Sequence, residues 1–419
     1  MQTSDSKSSS TPMHIDYDLH GIVGVRLINP SPRDAAAAAR QLGPLRAALQ
    51  REPDITIKFV DRLELSSPMR LLGLDDAGFS DDGFFVLRGR HKASAKVKIA
   101  FEQIGSRHCE IICESGVASV PLLMAIINLT FLSKGAIPLH ASAFIHNDTG
   151  FVVTGWSKGG KTEALLAFMS HGARYVGDEW VILTADGMRM CGMPEPIRLW
   201  DWHLDQLPLF RRKLSRASRY KLKAIRQVEV LYRSIPSAGK SSFLPLSILR
   251  RAILILQRQK CVDVAPHRLF GDEGCALTGV PEKIIFIMSH ANDNVSMENA
   301  DAQEIASRMA FSLRYEQADF FSYYLKYRFA FPDLMNPLIE RAPEYQLDIL
   351  SRALHDKEAH TVYHPYPVQL EKLFDIISPL SSLPKQNGSV EMREKNRTAV
   401  SSEEQKMNTV AAVELVTNE

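Results

Sequence analysis

The stretch that most constrains this chain is Gly155-Trp156-Ser157-Lys158-Gly159-Gly160-Lys161-Thr162. It matches G-x-x-x-x-G-K-[ST] at every fixed position, the pattern of a phosphate-binding loop. Glycines let the backbone curl so that its N–H groups point inward at phosphate oxygens. Lysine brings positive charge to the outer phosphates, and the threonine hydroxyl can ligate Mg²⁺. Phe151-Val152-Val153-Thr154 reads as a buried strand entering the loop, and Glu163 to Met169 as a helix leaving it. In that order the helix also aims the positive end of its dipole at the bound anion. A chain built on such a unit is expected to be α/β.

Composition narrows the classes around this unit. With 419 residues, two or three domains are expected. A net charge of +2 gives no global attraction to nucleic acid and argues against a dedicated nucleic-acid partner. The five cysteines lack paired ligand spacing, so neither a disulfide framework nor a zinc site is expected, and a reducing cytoplasm fits. Residues 1–12 are polar, without the apolar core of a secretory signal. Val117 to Leu132 is interrupted by Ser119, Pro121 and Asn128 and reads as a buried helix rather than a membrane span.

Along the chain we expect disorder at 1–12, an α+β module at 13–118, the nucleotide-binding core at 119–295, a helical region at 296–380 and a disordered tail at 385–419. Asn147-Asp148-Thr149-Gly150 is a turn signal between two strands, the second of which runs into the loop. Ile253 to Leu256 reads as a strand, and Ala302 to Arg328 as one helix or a pair.

Three features lie near the loop in sequence. His140 is on the preceding strand, where it is either a core histidine or a phosphate neighbour, depending on hairpin register. Asp178-Glu179 is either an exposed acidic turn or a carboxylate site that holds Mg²⁺ or accepts the proton of an attacking hydroxyl. Glu195-Pro196-Ile197-Arg198 offers either a surface ion pair or an arginine for a transferred phosphoryl group.

Taken together, Leu139-His140-Ala141-Ser142, then Gly155 to Glu163, then Gly172 and Gly177-Asp178-Glu179 resemble the HPr serine kinase/phosphorylase catalytic domain and its related proteins. That family has a mixed, partly antiparallel sheet and a core similar to phosphoenolpyruvate carboxykinase. The resemblance covers residues 135–190 and weakens out to about 290. It implies that Gly155 to Thr162 wrap the phosphates of ATP, that Thr162 ligates Mg²⁺, and that Glu163 is the acidic residue after the loop. It makes His140 the histidine near the phosphates and Asp178 the residue that activates the acceptor. Glu179 stands where the family has a second aspartate, and with Glu195 it is a candidate metal ligand. The chain departs from the pattern at Trp156 and Lys158. Its Glu195 and Arg198 lie one residue further apart than in the family's E-x-R-G, and Leu199 replaces the glycine.

The expected activity is ATP-dependent phosphoryl transfer to a hydroxyl of a protein, a peptide or a small molecule. A hydrolase with water as acceptor and a non-catalytic nucleotide-binding module remain alternatives, and a homo-oligomer is left open. Arg211 to Arg226 is strongly basic and is either a docking surface for an acidic acceptor or a solvated face. Phe320 to Phe331 is aromatic and is expected in a core or interface.

Overall fold

The computed structural model describes residues 13–73, 76–88, 94–233, 253 and 255–381. The expectations of disorder at 1–12 and 385–419 concern residues outside these ranges. The elements below belong to one compact unit that closes at Ser378.

Eight strands form the first sheet: β1 (His14–Leu19), β2 (Val23–Ile28), β3 (Ile55–Val60), β4 (Arg70–Leu72), β5 (Ala77–Ser80), β6 (Gly83–Arg88), β7 (Ser94–Ile99) and β8 (Cys109–Glu114). Their order is β1-β2-β3-β8-β7-β6-β5-β4. The β2–β3 and β3–β8 pairs are parallel and the rest antiparallel, so the sheet is mixed. Helix α1 (Pro32–Leu42) makes the crossover from β2 to β3. Ser31 caps it, with Asp34 returning the bond to the cap, and Pro32 occupies the first turn. Cys109 and Cys113 are buried in β8, and burial pushes both thiols up to about 12, so they behave as small apolar residues.

The second sheet is built on β9 (Ala136–His146) and β10 (Thr149–Thr154). Its other members are β11 (Arg174–Gly177), β12 (Trp180–Thr184), β13 (Met190–Gly192), β16 (Thr278–Gly279), β17 (Lys283–Ser289), β18 (Ser296–Asn299) and β19 (Glu358–His364). Strands β14 (Ile197–Trp200) and β15 (Cys261–Val264) form a separate ribbon. One edge of β9 pairs with β10; the other pairs first with β12 and then with β11. Strands β10, β17 and β19 run parallel, and their carboxyl ends come together beside the glycine loop. Open α/β sheets bind ligands at such ends.

Helix α2 (Leu123–Ser133) packs against both β9 and β2 and therefore lies between the two sheets. That placement explains why it is apolar on all sides. Among the described residues no helix is long and apolar enough to cross a membrane. Helix α3 (Lys161–Ser170) covers β9 and β10, and its Phe168 stacks on Phe144 at 4.4 Å.

The expected long helix is a pair, Ala302–Glu316 and Ala318–Ala330. Phe320, Tyr324 and Tyr327 of the second are buried against Phe101, and Tyr327 also meets Phe84. The aromatic stretch is thus core, shared with the first sheet. One expectation is corrected: Ile253, Ile255 and Leu256 are helical, not strand. A short aliphatic run has no periodicity that separates the two.

Candidate functional site

The site starts from the β9–β10 hairpin. Its two-residue turn has Asn147 and Asp148 at φ 48° and 59°, and its register sets Ala141 opposite Thr154. His140 therefore lies level with the entry to the loop. Strand alternation puts His140, Ser142 and Phe144 on one face, the face that α3 covers.

Gly155 has φ 155° and Gly160 φ 111°. A Cβ on Gly155 would collide with the Ile287 carbonyl, and one on Gly160 with the His364 ring. The loop is therefore held tightly against β17 and β19. His364 is fully buried, and its Nε2 lies 2.7 Å from the Gly159 carbonyl oxygen. Lys161 is buried, and its ammonium donates to the carbonyls of Trp156 at 2.9 Å and Gly155 at 3.3 Å. Burial lowers its pKa, against the pull of Asp178 and Glu179.

Two polar chains converge on this loop. In the first, buried Asp178 accepts from Ser142 and from Thr162, whose hydroxyl lies 3.1 and 3.2 Å from its two oxygens. Burial, followed by the charge of Glu179, raises Asp178 to about 6 despite those bonds. In the second, His140 stands between two carboxylates. Its Nε2 is 2.9 Å from Glu179 and its Nδ1 2.7 Å from Glu316, a residue 176 positions away. Burial opposes a charged imidazole there, yet the bonds to Glu179 and Glu316 raise its pKa. With an acceptor at each nitrogen, the ring is set up to donate twice, as an imidazolium. Glu179 is in turn held below the usual carboxylate range, chiefly by His140.

Glu195 lies on the segment leading into β14 and is half-buried. Burial, with the charges of Glu179 and Asp178, pushes it up to about 7. Arg198 pairs with Asp263 at 2.9 Å across the β14–β15 ribbon and, with His140, Lys161 and Glu179, lines a cavity of about 430 Å³ at the loop. Glu163, in the first turn of α3, accepts from His203 Nε2 at 3.1 Å, while His203 Nδ1 accepts from the Trp200 backbone. Those bonds fix the His203 tautomer.

The loop geometry fits a phosphate: glycines stand where a Cβ would not, with a lysine and a helix N-terminus behind them. Among the described residues, no group of three or more His, Cys, Asp or Glu is arranged to hold a metal ion. A loop-bound Mg²⁺ needs fewer protein ligands, because it keeps waters and takes phosphate oxygens. Thr162 with Glu179 would be such a donor set. Burial is the first cause that raises Asp178 and Glu195, and the charge of Glu179 adds to both; a divalent cation would offset that added charge.

No family model and no curated protein matches the chain.

Of the residues singled out in the sequence, His140, Lys161, Thr162, Asp178 and Glu179 come together at the loop. Ser157, Lys158, Gly159, Gly160 and Glu163 line the cavity beside them. Trp156 instead turns outward, 51% exposed, against Tyr315 at 5.0 Å. The basic stretch is partly committed: Arg211 and Arg226 both clamp Asp201 and Asp205. Arg212, Arg216, Arg219 and Lys223 remain exposed. Sequence reasoning missed Ser142, His203, Glu316 and His364. Ser142 had a signal, two residues from His140 on the same strand face. Glu316 had none, since its partner is set by tertiary packing alone.

The Glu316 contact makes a direct prediction. In Glu316→Gln the His140 midpoint should fall, followed by NMR of the ring protons and assigned with His140→Gln. An unmoved midpoint would remove Glu316 from the site. The paired, charged His140 stabilises the fold fully below about 6.5, its value in the unfolded chain. That contribution is lost as pH rises through the higher folded value, so the variant should lose stability mainly on the acidic side.

Proposed function

We propose that the chain transfers a phosphoryl group from ATP, or a similar phosphate donor, to a hydroxyl on a protein, peptide or small molecule. The observation that carries this reading is Asp178. It is a buried carboxylate bonded to the loop threonine, with its pKa near 6, beside a lysine aimed at the same loop. A general base working near neutrality needs a value in that range.

In this reading the backbone of Gly155 to Thr162 cradles the phosphates and Lys161 leaves its two carbonyl partners to meet the outer ones. Mg²⁺, when bound, would neutralise phosphate charge, and Thr162 with the carboxylate of Glu179 would hold it, leaving Asp178 free to act as the base. Asp178 orients the acceptor hydroxyl and takes its proton. His140, fixed by Glu179 and Glu316, keeps a positive charge beside the phosphoryl group. Most of the acceleration would come from positioning and charge stabilisation rather than covalent chemistry. The resemblance to HPr-kinase-related proteins supports the same assignment from the sequence side.

The test is calorimetric titration of Mg–ATP into the wild type and Lys161→Ala, followed by product analysis with γ-labelled ATP. We expect binding that depends on Mg²⁺ and weakens at least tenfold in the variant, roughly the loss of one charged hydrogen bond. We also expect label in an acceptor hydroxyl. Absence of ATP binding at millimolar concentration would end the proposal. Label released only as free phosphate would make the chain a hydrolase.

A further inference from the structure

The lining of the cavity at the loop carries two chemically different groups, the polar His140, Glu179 and Lys161 and the aromatic His203, Trp200 and Tyr366. Tyr366 is 55% exposed. Its ring meets Trp202 edge-on at 5.9 Å, and Trp202 packs on His203 at 4.1 Å. His203 is bonded to Glu163. The tyrosine face is thus held in a fixed relation to the first turn of α3. Burial, then the charge of Glu163, raise the Tyr366 phenol, which agrees with that proximity.

The direction of a bound donor follows from the loop. Lys161 reaches the Trp156 carbonyl, and Thr162 faces Asp178. In this motif the lysine meets the outer phosphates, and the loop amides and the helix N-terminus cradle the inner ones. Whatever is attached to the inner phosphates therefore leaves at the Glu163 end, against the aromatic wall. Pyrophosphate or a polyphosphate has nothing to place there. A nucleobase has a π-face that any flat aromatic can stack.

Resting on the phosphoryl-transfer reading, we propose that the donor is a nucleotide and that its base stacks on the wall formed by Tyr366 and Trp200. Another aromatic pair, Trp156 and Tyr315, stacks near the loop, but neither ring lines the cavity. It is therefore not placed to take the base.

The experiment compares Mg–ATP with Mg–tripolyphosphate by calorimetry on the full chain, in wild type, Tyr366→Ala, Tyr366→Phe and Tyr315→Ala. Tyr366→Ala should weaken ATP roughly 5- to 150-fold, the weight of one base stack. It should leave tripolyphosphate unchanged, which also reports an intact loop. Tyr366→Phe should bind ATP as the wild type does, and Tyr315→Ala should not alter the ratio of the two ligands. Equal weakening of both ligands in Tyr366→Ala, or of neither, overturns the proposal. So does selective loss of ATP in Tyr315→Ala. If the wild type binds neither ligand, the phosphoryl-transfer reading fails and takes this one with it. If it binds both equally and Tyr366→Ala changes nothing, only the base site fails.

Discussion

Asp178→Asn is expected to lower phosphoryl transfer by about 10²–10⁴-fold, the usual weight of a general base, while making the protein more stable at neutral pH. Asparagine keeps the shape and still accepts from Ser142 or Thr162, but it cannot take a proton. The stability gain follows from the pKa. The carboxyl titrates near 3.8 in the unfolded chain and at about 6 in the folded one. Between these values the folded state binds the extra proton. Above about 6, ionised Asp178 costs stability, of order 3 kcal/mol for a shift of this size. The cost fades as pH falls from 6 toward 4. Urea midpoints of wild type and variant should therefore separate at pH 8, with the variant higher, and converge at pH 4. A variant that keeps its transfer rate would remove Asp178 from the chemistry. One that is less stable at pH 8 would show that the bonds from Ser142 and Thr162 outweigh the burial of the charge.

The second large effect is structural. Gly155→Ala should destabilise the fold by about 3 kcal/mol, from backbone strain and a forced contact together. The new methyl meets the Ile287 carbonyl, which belongs to β17 in the middle of the sheet and has no room to retreat. Gly172 provides the control. Its φ of 82° also disfavours a side chain, but nothing lies within 4 Å of a Cβ placed there. Gly172→Ala should cost only about 1 kcal/mol. Equal urea midpoints for the two variants would show that the loop yields where its packing says it is fixed.

Much of the site could be read in the chain before any coordinates. The strand, loop and helix around Gly155 are a local pattern, and each is set by residues within about twenty positions. The hairpin register was left open by the sequence, where the turn signal spans Asn147 to Gly150; the structure narrows the turn to two residues. Asn147 and Asp148 both tolerate positive φ, and a two-residue turn fixes every later pair. Counting back from His146 and Thr149 puts Ala141 beside Thr154 and His140 beside the loop. What could not be read depends on distant packing. Glu316 reaches His140 because its helix crosses β9, and no pattern near either residue announces it. The mixed first sheet was hidden for a related reason. Strand alternation identifies β2, β3 and β8 but does not say that they lie side by side and parallel.

His364 gives the fold a direction in time. It ends β19, lies directly under Gly159, and comes 205 residues after it. A ribosome emits the loop long before it emits that support. Until β19 docks between β17 and β18, the backbone of the loop lacks one of its buried partners. The nascent chain can form the hairpin and α3 early, from local contacts alone. It cannot complete the cradle until His364 and most of the polypeptide have been made.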